Sequence, residues 1–297
     1  MADLLALIAA ACFALAATLQ QKGALDVGDV SLKHPKSLLK LAGQRMWLYG
    51  SGVLLVGYVF QAAALDRGRL SVVQPLLVTT IVFALPLGYW LTGQHVGRRE
   101  IVGAGVVVVG LILFTVLGDP AGGKGNAPAD EWAIATAIVS VLSVLLVILG
   151  GRGASARKAG TYGAAAGLLY GLSASLCKPT VEILDASGVG TMLSSWEFYA
   201  FATAGIIAFV VQQVSLGTGR LAPSVATTSV MNPIVSVLIG IVLLDETLSE
   251  PTWHKVVAWV GLGVALGGAV VISMAREPDG EPDRARPEGP AHAAAPA

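Results

Sequence analysis

Along the chain, apolar residues fall in nine long runs separated by short polar stretches: Leu4 to Gln20, Trp47 to Leu65, Leu70 to Leu91, Ile101 to Leu117, Trp132 to Leu149, Tyr162 to Val181, Phe198 to Leu216, Ala222 to Leu244 and Val256 to Met274. The runs are 17 to 23 residues long, the length a helix needs to cross a hydrocarbon core of about 30 Å. They lack the alternation and the roughly 10-residue length of barrel strands. In lipid the remaining way to satisfy every backbone polar group is the α-helix. The pattern therefore predicts an all-α membrane protein with nine transmembrane helices. The first run follows Met1-Ala2-Asp3 without a basic segment and is read as a retained span, not a cleaved signal.

Composition agrees with that solvent. Hydrophobic residues make up 55% of the 297 residues and charged residues 13%, against about 25% charged in soluble domains. Formal net charge is zero, which gives no basic surface for nucleic acid. Cys12 and Cys177 lie in separate apolar runs, and the four histidines form no ligand-spaced pair. No metal site or cofactor is therefore expected. No P-loop, Gly-x-Ser-x-Gly elbow or catalytic carboxylate pair occurs, so the sequence offers nothing for ATP-driven pumping or catalysis.

Charge position sets orientation. The first, third, fifth and seventh loops with the tail carry fourteen Lys and Arg residues, among them Lys33, Lys36, Lys40, Arg98, Arg99, Arg157 and Lys158; the N-terminus and the other loops carry four, Arg67, Arg69, Lys124 and Lys255. The positive-inside rule puts the N-terminus outside and the C-terminus in the cytoplasm of a multi-pass plasma-membrane protein. In the first loop, Ser37 to Leu41 after Pro35 predicts a short amphipathic turn on the inner leaflet, in contact with membrane lipids. The tail, 276–297, is rich in Pro, Ala, Glu and Asp without apolar period and is expected to be disordered.

The chain repeats itself. Gln61 to Leu70 reads QAAALDRGRL and Gln212 to Leu221 reads QQVSLGTGRL; Gly103, Gly105 and Gly110 match Gly261, Gly263 and Gly268; and Phe13-x4-Thr18-Leu19 matches Tyr170-x4-Ser175-Leu176. Helices one to four thus correspond to six to nine, and helix five reverses the second set relative to the first. The expected organisation is a first repeat over 1–118, a loop and linking helix over 119–150, a second repeat over 151–275, and the tail. Inverted repeats with a midplane site between them are a transporter design.

These Gly-Arg-Leu hairpins, Asp245-Glu246 before a Gly-x-Gly helix, and the repeat itself resemble the drug/metabolite transporter (EamA-like) superfamily over residues 3 to 275. The resemblance implies a secondary transporter moving a small solute or ion by alternating access, as a monomer or weak homodimer. Within the superfamily the nine-helix NIPA-type magnesium transporters look most similar. Their first helix ends in a Lys-Gly step, where this chain has Gln20-Gln21-Lys22-Gly23, and Gln94 stands where the second repeat has Asp245-Glu246. The alternatives kept beside a solute carrier are a magnesium carrier, a lipid flippase and a non-transporting scaffold.

Polar groups within the runs are the site candidates, because an ionisable or strongly polar group is costly there. Lys178 lies in the outer part of helix six, about 24 Å along it from Tyr162; it is either a substrate or coupling group or the ion-pair partner of Glu182 or Glu197. Gln61, Gln212 and Gln213 place amides near both mouths of a central cavity, as substrate contacts or as interhelical hydrogen bonds. Asn232-Pro233 interrupts helix eight, where proline frees a carbonyl beside Thr227, Thr228 and Asn232. Tyr58, Gln74, Thr79, Tyr170 and Ser173 complete the candidates. Labelling with a membrane-impermeant maleimide tests the orientation. With Cys12 and Cys177 replaced by alanine, a single cysteine at Asn126 should react from outside intact cells and one at Ser155 only after permeabilisation; the reverse would invert every inside and outside assignment.

Overall fold

A computed structural model describes residues 1–28, 30, 35–67, 76–77, 79–94, 96–118, 126–151, 154–245 and 251–274. Among them the regular structure is entirely helical. In chain order the helices are α1 (Ala2–Val27), α2 (Pro35–Ala42), α3 (Arg45–Arg67), α4 (Thr80–Thr92), α5 (Arg98–Gly118), α6 (Ala129–Gly150), α7 (Ser155–Ser194), α8 (Trp196–Leu216), α9 (Leu221–Val242) and α10 (Thr252–Ser273). Six of these, α1, α5, α6, α8, α9 and α10, are long and apolar enough to cross a bilayer. The described part of α4 is apolar but has 13 residues. Both α3 and α7 carry glycine, tyrosine and hydroxyl residues through their middles, which lowers their apolarity. The chain is an all-α membrane protein.

The outward faces follow the bilayer, not water. On α6, Ile134, Ile138, Leu142, Leu145 and Leu149 are exposed while Trp132, Ala135, Val139 and Ser143 are buried. A water-soluble helix would turn polar residues outward instead. The amphipathic turn expected near Ser37 is α2: Leu41 is buried, and Lys36, Leu39 and Lys40 are exposed. Two helices outrun their apolar segments. The first continues past Gln20 to Val27 and stops at Gly28, whose φ of 87° suits glycine. The other, α7, continues past Val181 to Ser194 with a break at Gly188, φ 79°; its extension carries exposed Glu182 and Asp185, a polarity that hydropathy reads as loop. Tail residues 276–297 and Gln74 lie outside the described residues.

Helices touch mainly through small residues. A Cβ on Gly110 of α5 would fall 2.5 Å from the Gly261 carbonyl oxygen and the Ala265 nitrogen of α10, and one on Gly261 would fall 2.7 Å from the Gly110 carbonyl oxygen. Gly103 and Gly268 meet in the same reciprocal way, so α5 and α10 run antiparallel in backbone contact. Along α7, Gly163, Gly167 and Gly171 lie against Ser224, Thr228 and Asn232 of α9. On α1 the corresponding small face is Ala6, Ala10 and Ala14, all fully buried. The main helix neighbours are α1 with α3 and α4, α5 with α10, α7 with α6, α8 and α9, and α9 with α10.

Gly110→Ala is expected to cost about 1 to 3 kcal/mol, because the new methyl meets backbone and not a movable side chain. Gly105→Ala, where nothing lies within 4 Å of the added carbon, should leave the detergent melting temperature unchanged. Equal melting temperatures for the two variants would remove the close α5–α10 contact.

Candidate functional site

Glutamine side chains close one end of the bundle. Gln213 of α8 is 2% exposed and crosses to the first helices: the Trp47 indole donates to its Oε1 at 2.8 Å, and its Nε2 donates to Gln20 Oε1 at 3.2 Å. Gln20 Nε2 in turn donates to Ser51 Oγ at 3.4 Å. The preceding residue, Gln212, points to the other side of α8. Its Nε2 donates to Ser224 Oγ at 3.1 Å and its Oε1 accepts from the Thr228 hydroxyl at 2.7 Å. Ser224 and Ser215 hydroxyls are 2.7 Å apart, and Ser215 donates to the Ala159 carbonyl at 2.7 Å. Two adjacent amides thus tie α1, α3, α7, α8 and α9 together, each using its oxygen as acceptor and its nitrogen as donor.

The same end holds a third amide whose orientation is fixed. The backbone N–H of Leu221, at the start of α9, donates to Gln94 Oε1 at 3.0 Å. That bond commits Gln94 Nε2 to donate, which it does to Thr92 Oγ1 at 3.0 Å and to Gln21 Oε1. Gln21 Nε2 is then left buried with no partner among the described residues, on a side chain that is 0% exposed. Flipping either amide would set two donors against each other. A buried unmatched donor costs about 1 to 3 kcal/mol. Beside this cluster Arg220 lies 3.7 Å from Glu100, whose other oxygen accepts from Gly97 N at 2.9 Å.

The opposite end is organised differently. Glu197, 7% exposed, accepts from Asn126 Nδ2 at 3.0 Å, and Asn126 Oδ1 accepts from the Trp132 indole at 2.9 Å. This carboxylate therefore docks the beginning of α8 to the beginning of α6. Lys178 is half-buried on α7, and Glu182 one turn beyond is exposed. Gln61 is half-buried with no hydrogen bond among the described residues, unlike Gln212.

Between the ends, Tyr58 of α3 packs edge-on against Phe13 of α1, ring centroids 5.2 Å apart at 62°. Tyr170 of α7 is half-buried, and α3 and α7 share no extended packing among the described residues. Asn232 stands one turn beyond Thr228 on α9. Ser173 is occupied by the Phe201 carbonyl at 3.1 Å, and Thr79 by that of Leu76. The structure thus brings Gln212 and Thr228 together, gives Gln213 to a separate cluster, and sets Tyr58, Tyr170 and Asn232 above both.

Partners that the sequence reasoning missed are Trp47, Gln20, Gln21, Gln94 and Asn126. Gln20, Gln21 and Gln94 carried a signal as glutamines at the ends of apolar runs; nothing local marks Asn126. A lateral groove of about 560 Å³ also runs between α6, α7 and α9, lined by apolar residues such as Ile138, Leu142 and Leu238 with Glu131 as the polar exception. A path for lipid headgroups would need polar lining along its length, which this groove does not have.

Gln94→Leu strands the Leu221 N–H and Gln21 Oε1 together. About 2 kcal/mol or more should be lost, read as a lower melting temperature in detergent, while Gln94→Glu should retain the Leu221 bond and part of the stability. An unchanged melting temperature for the leucine variant would mean that the α4–α9 contact does not contribute to the stable state.

A protein of Corynebacterium glutamicum described as uncharacterized is 30% identical over 280 residues, an alignment covering 90% of this chain and 93% of that one. No family model and no solved structure matches the chain. Identity at that level over nearly the whole of both chains means that this protein belongs to the same family as the corynebacterial one.

Proposed function

We propose that the protein is a secondary transporter of the drug/metabolite type, with nine transmembrane helices in two inverted four-helix repeats, α1, α3, α4, α5 and α7, α8, α9, α10, joined by α6. It moves a small solute by alternating access across the plasma membrane, with its N-terminus outside and the glutamine end cytoplasmic.

The helix neighbours support the repeat. Pairing of α1 with α3 has its counterpart in α7 with α8, α1 with α4 in α7 with α9, and α4 with α5 in α9 with α10. Contact between α5 and α10 is its own counterpart: Gly103 meets Gly268 while Gly110 meets Gly261, the reciprocal pattern of a two-fold axis. Side chains agree as well. Thr18 bonds the Ala14 carbonyl at 2.8 Å and Ser175 the Gly171 carbonyl at 2.9 Å, and both residue pairs are related by the offset of 157 that relates Phe13 to Tyr170.

The observation that carries transport is an asymmetry between equivalent helices. At the glutamine end α1 and α8 are joined through Gln20 and Gln213. The equivalent pair at the other end, α7 and α3, shares no comparable packing among the described residues. Two repeats of one design that hold different contacts correspond to one closed and one open mouth, and exchanging the two arrangements moves the opening to the other side.

A reversible cross-link tests this. With Cys12 and Cys177 replaced by alanine, cysteines at Gln20 and Gln213 joined by a short bis-methanethiosulfonate should stop solute flux in proteoliposomes, and reductant should restore it. Flux is scored over a panel of metabolites and magnesium. Flux indifferent to the cross-link would reject alternating access through this end; absence of flux for the entire panel would favour a scaffold.

A further inference from the structure

The short helix α2 lies between α1 and α3 in sequence and packs on both. Its inner side is apolar. Leu41, 1% exposed, and the half-buried Leu38 belong to the hydrophobic cluster that also takes in Ala24 of α1 and Trp47 of α3. Trp47 in turn donates its indole N–H to Gln213 Oε1 at 2.8 Å. The inner side of α2 thus shares its packing with a residue that closes the glutamine end.

The outer side is neither a core face nor an ordinary wet one. Leu39 is 75% exposed and stands between Lys36 and Lys40, both exposed. Water would leave the leucine uncovered, and hydrocarbon would strand two ammonium groups. A leucine flanked by lysines suits the layer between, where acyl chains begin and phosphates lie. Tyr49 of α3 and Trp90 of α4, both exposed, are the aromatic residues expected at that layer, and they lie at the same end as α2. Charge then selects the lipid. Between Asp29 and Asp66 the sequence has no acidic residue and four Lys and Arg residues, Lys33, Lys36, Lys40 and Arg45. Asp26 at the end of α1 is exposed, and neither Lys36 nor Lys40 forms an ion pair among the described residues. Two like charges one turn apart on a helix repel each other, and a phosphate between them removes that cost.

We propose that α2 is a binding site for anionic phospholipid, with Lys36 and Lys40 on the phosphates and Leu39 among the first acyl carbons. The bound lipid holds α2 against α1 and α3, and through Leu41 and Trp47 it stabilises the closed glutamine end. The site is independent of the transporter reading and requires only that the helices cross a bilayer. Each basic side chain near an anionic surface strengthens binding about 5-fold, the equivalent of about 1 kcal/mol. Two of them should therefore favour phosphatidylglycerol over phosphatidylcholine by about 25-fold.

The full-length protein in detergent, titrated with each lipid, tests this through its melting temperature and its amide hydrogen exchange. Phosphatidylglycerol should raise the melting temperature at about 25-fold lower concentration than phosphatidylcholine, and should slow exchange over 45–51 and 212–221. A variant combining Lys36→Gln with Lys40→Gln should melt with the parent in detergent alone and lose the preference, while Leu39→Gln should weaken the response to both lipids. Arg98→Gln combined with Arg99→Gln removes the same charge from exposed positions at the same end and should keep the preference. Glycerol 3-phosphate, which has the phosphate without the chains, should have no effect at equal concentration. An equal response to the two lipids, a preference that survives loss of both lysines, an equal loss in the arginine variant, or an equal effect of glycerol 3-phosphate would each overturn the site. A lysine-dependent preference that leaves exchange over 212–221 unchanged would overturn the coupling to the glutamine end. Failure of every solute to move in proteoliposomes would remove the transporter reading and leave these outcomes as they stand.

Discussion

In a bilayer the surroundings of a helix are as apolar as its leucines, so burying one leucine against another gains little. What holds helices together is close backbone approach and hydrogen bonds between them. This chain uses the two at different places. Gly110 against Gly261 and Gly103 against Gly268 put the backbones of α5 and α10 in contact, and the glycine row of α7 does the same for α9. Those contacts are dispersive, extend over several turns and admit no substitute partner. Hydrogen bonds at the glutamine end are the reverse: each amide and hydroxyl there can exchange its protein partner for water.

That division sets which parts can move. In the proposed cycle the units locked by backbone contact, α5 with α10 and α7 with α9, move as bodies. Contacts between α1 and α8, or between α4 and the start of α9, depend on Gln20, Gln213 and Gln94. Gln21 sharpens the point. Its orphaned Nε2 follows from the Leu221 N–H claiming Gln94 Oε1, so closing this end leaves one donor unmatched where opening would hydrate it. The penalty of about 1 to 3 kcal/mol offsets part of the gain from the other bonds and, in the proposed cycle, favours release of this end.

Run length and apolarity made the helical membrane fold legible, because backbone satisfaction in lipid leaves so few alternatives. Helix ends were less legible where polarity and helix part company. Beyond Val181 hydropathy falls, yet α7 continues through Glu182 and Asp185 because nothing before Gly188 stops a helix. Gln212 and Gln213 stood out as amides in an apolar run, but their partners did not. A partner 193 residues away in sequence, as Gln20 is from Gln213, leaves no local trace. Repeat matching brought out Gln61 as the equivalent of Gln212, and the two are chemically unlike in the structure since one is bonded and the other is not. Equivalence in sequence did not bring equivalent contacts to these two glutamines.

Charge placement joins the site to energetics. Glu197, Arg220 and Glu100 sit at the ends of their helices, Glu197 and Glu100 with partners there in Asn126 and Arg220, and Lys178 lies on α7 eight residues beyond Tyr170. The middle holds phenols and carboxamides. Each elementary charge carried across a membrane couples to the potential by about 2.3 kcal/mol per 100 mV, so a path with charges fixed at its rims and none at its centre lets a neutral solute cross without electrical work. Reorientation of the empty protein is equally indifferent to potential if the rim charges stay in their aqueous boundaries while the interior packing exchanges. In the proposed cycle the membrane potential therefore has nothing to act on, and net movement follows the solute's own gradient unless a second species binds. A middle without charged residues on α1, α3 and α9 is what would make the proposed cycle electrically silent.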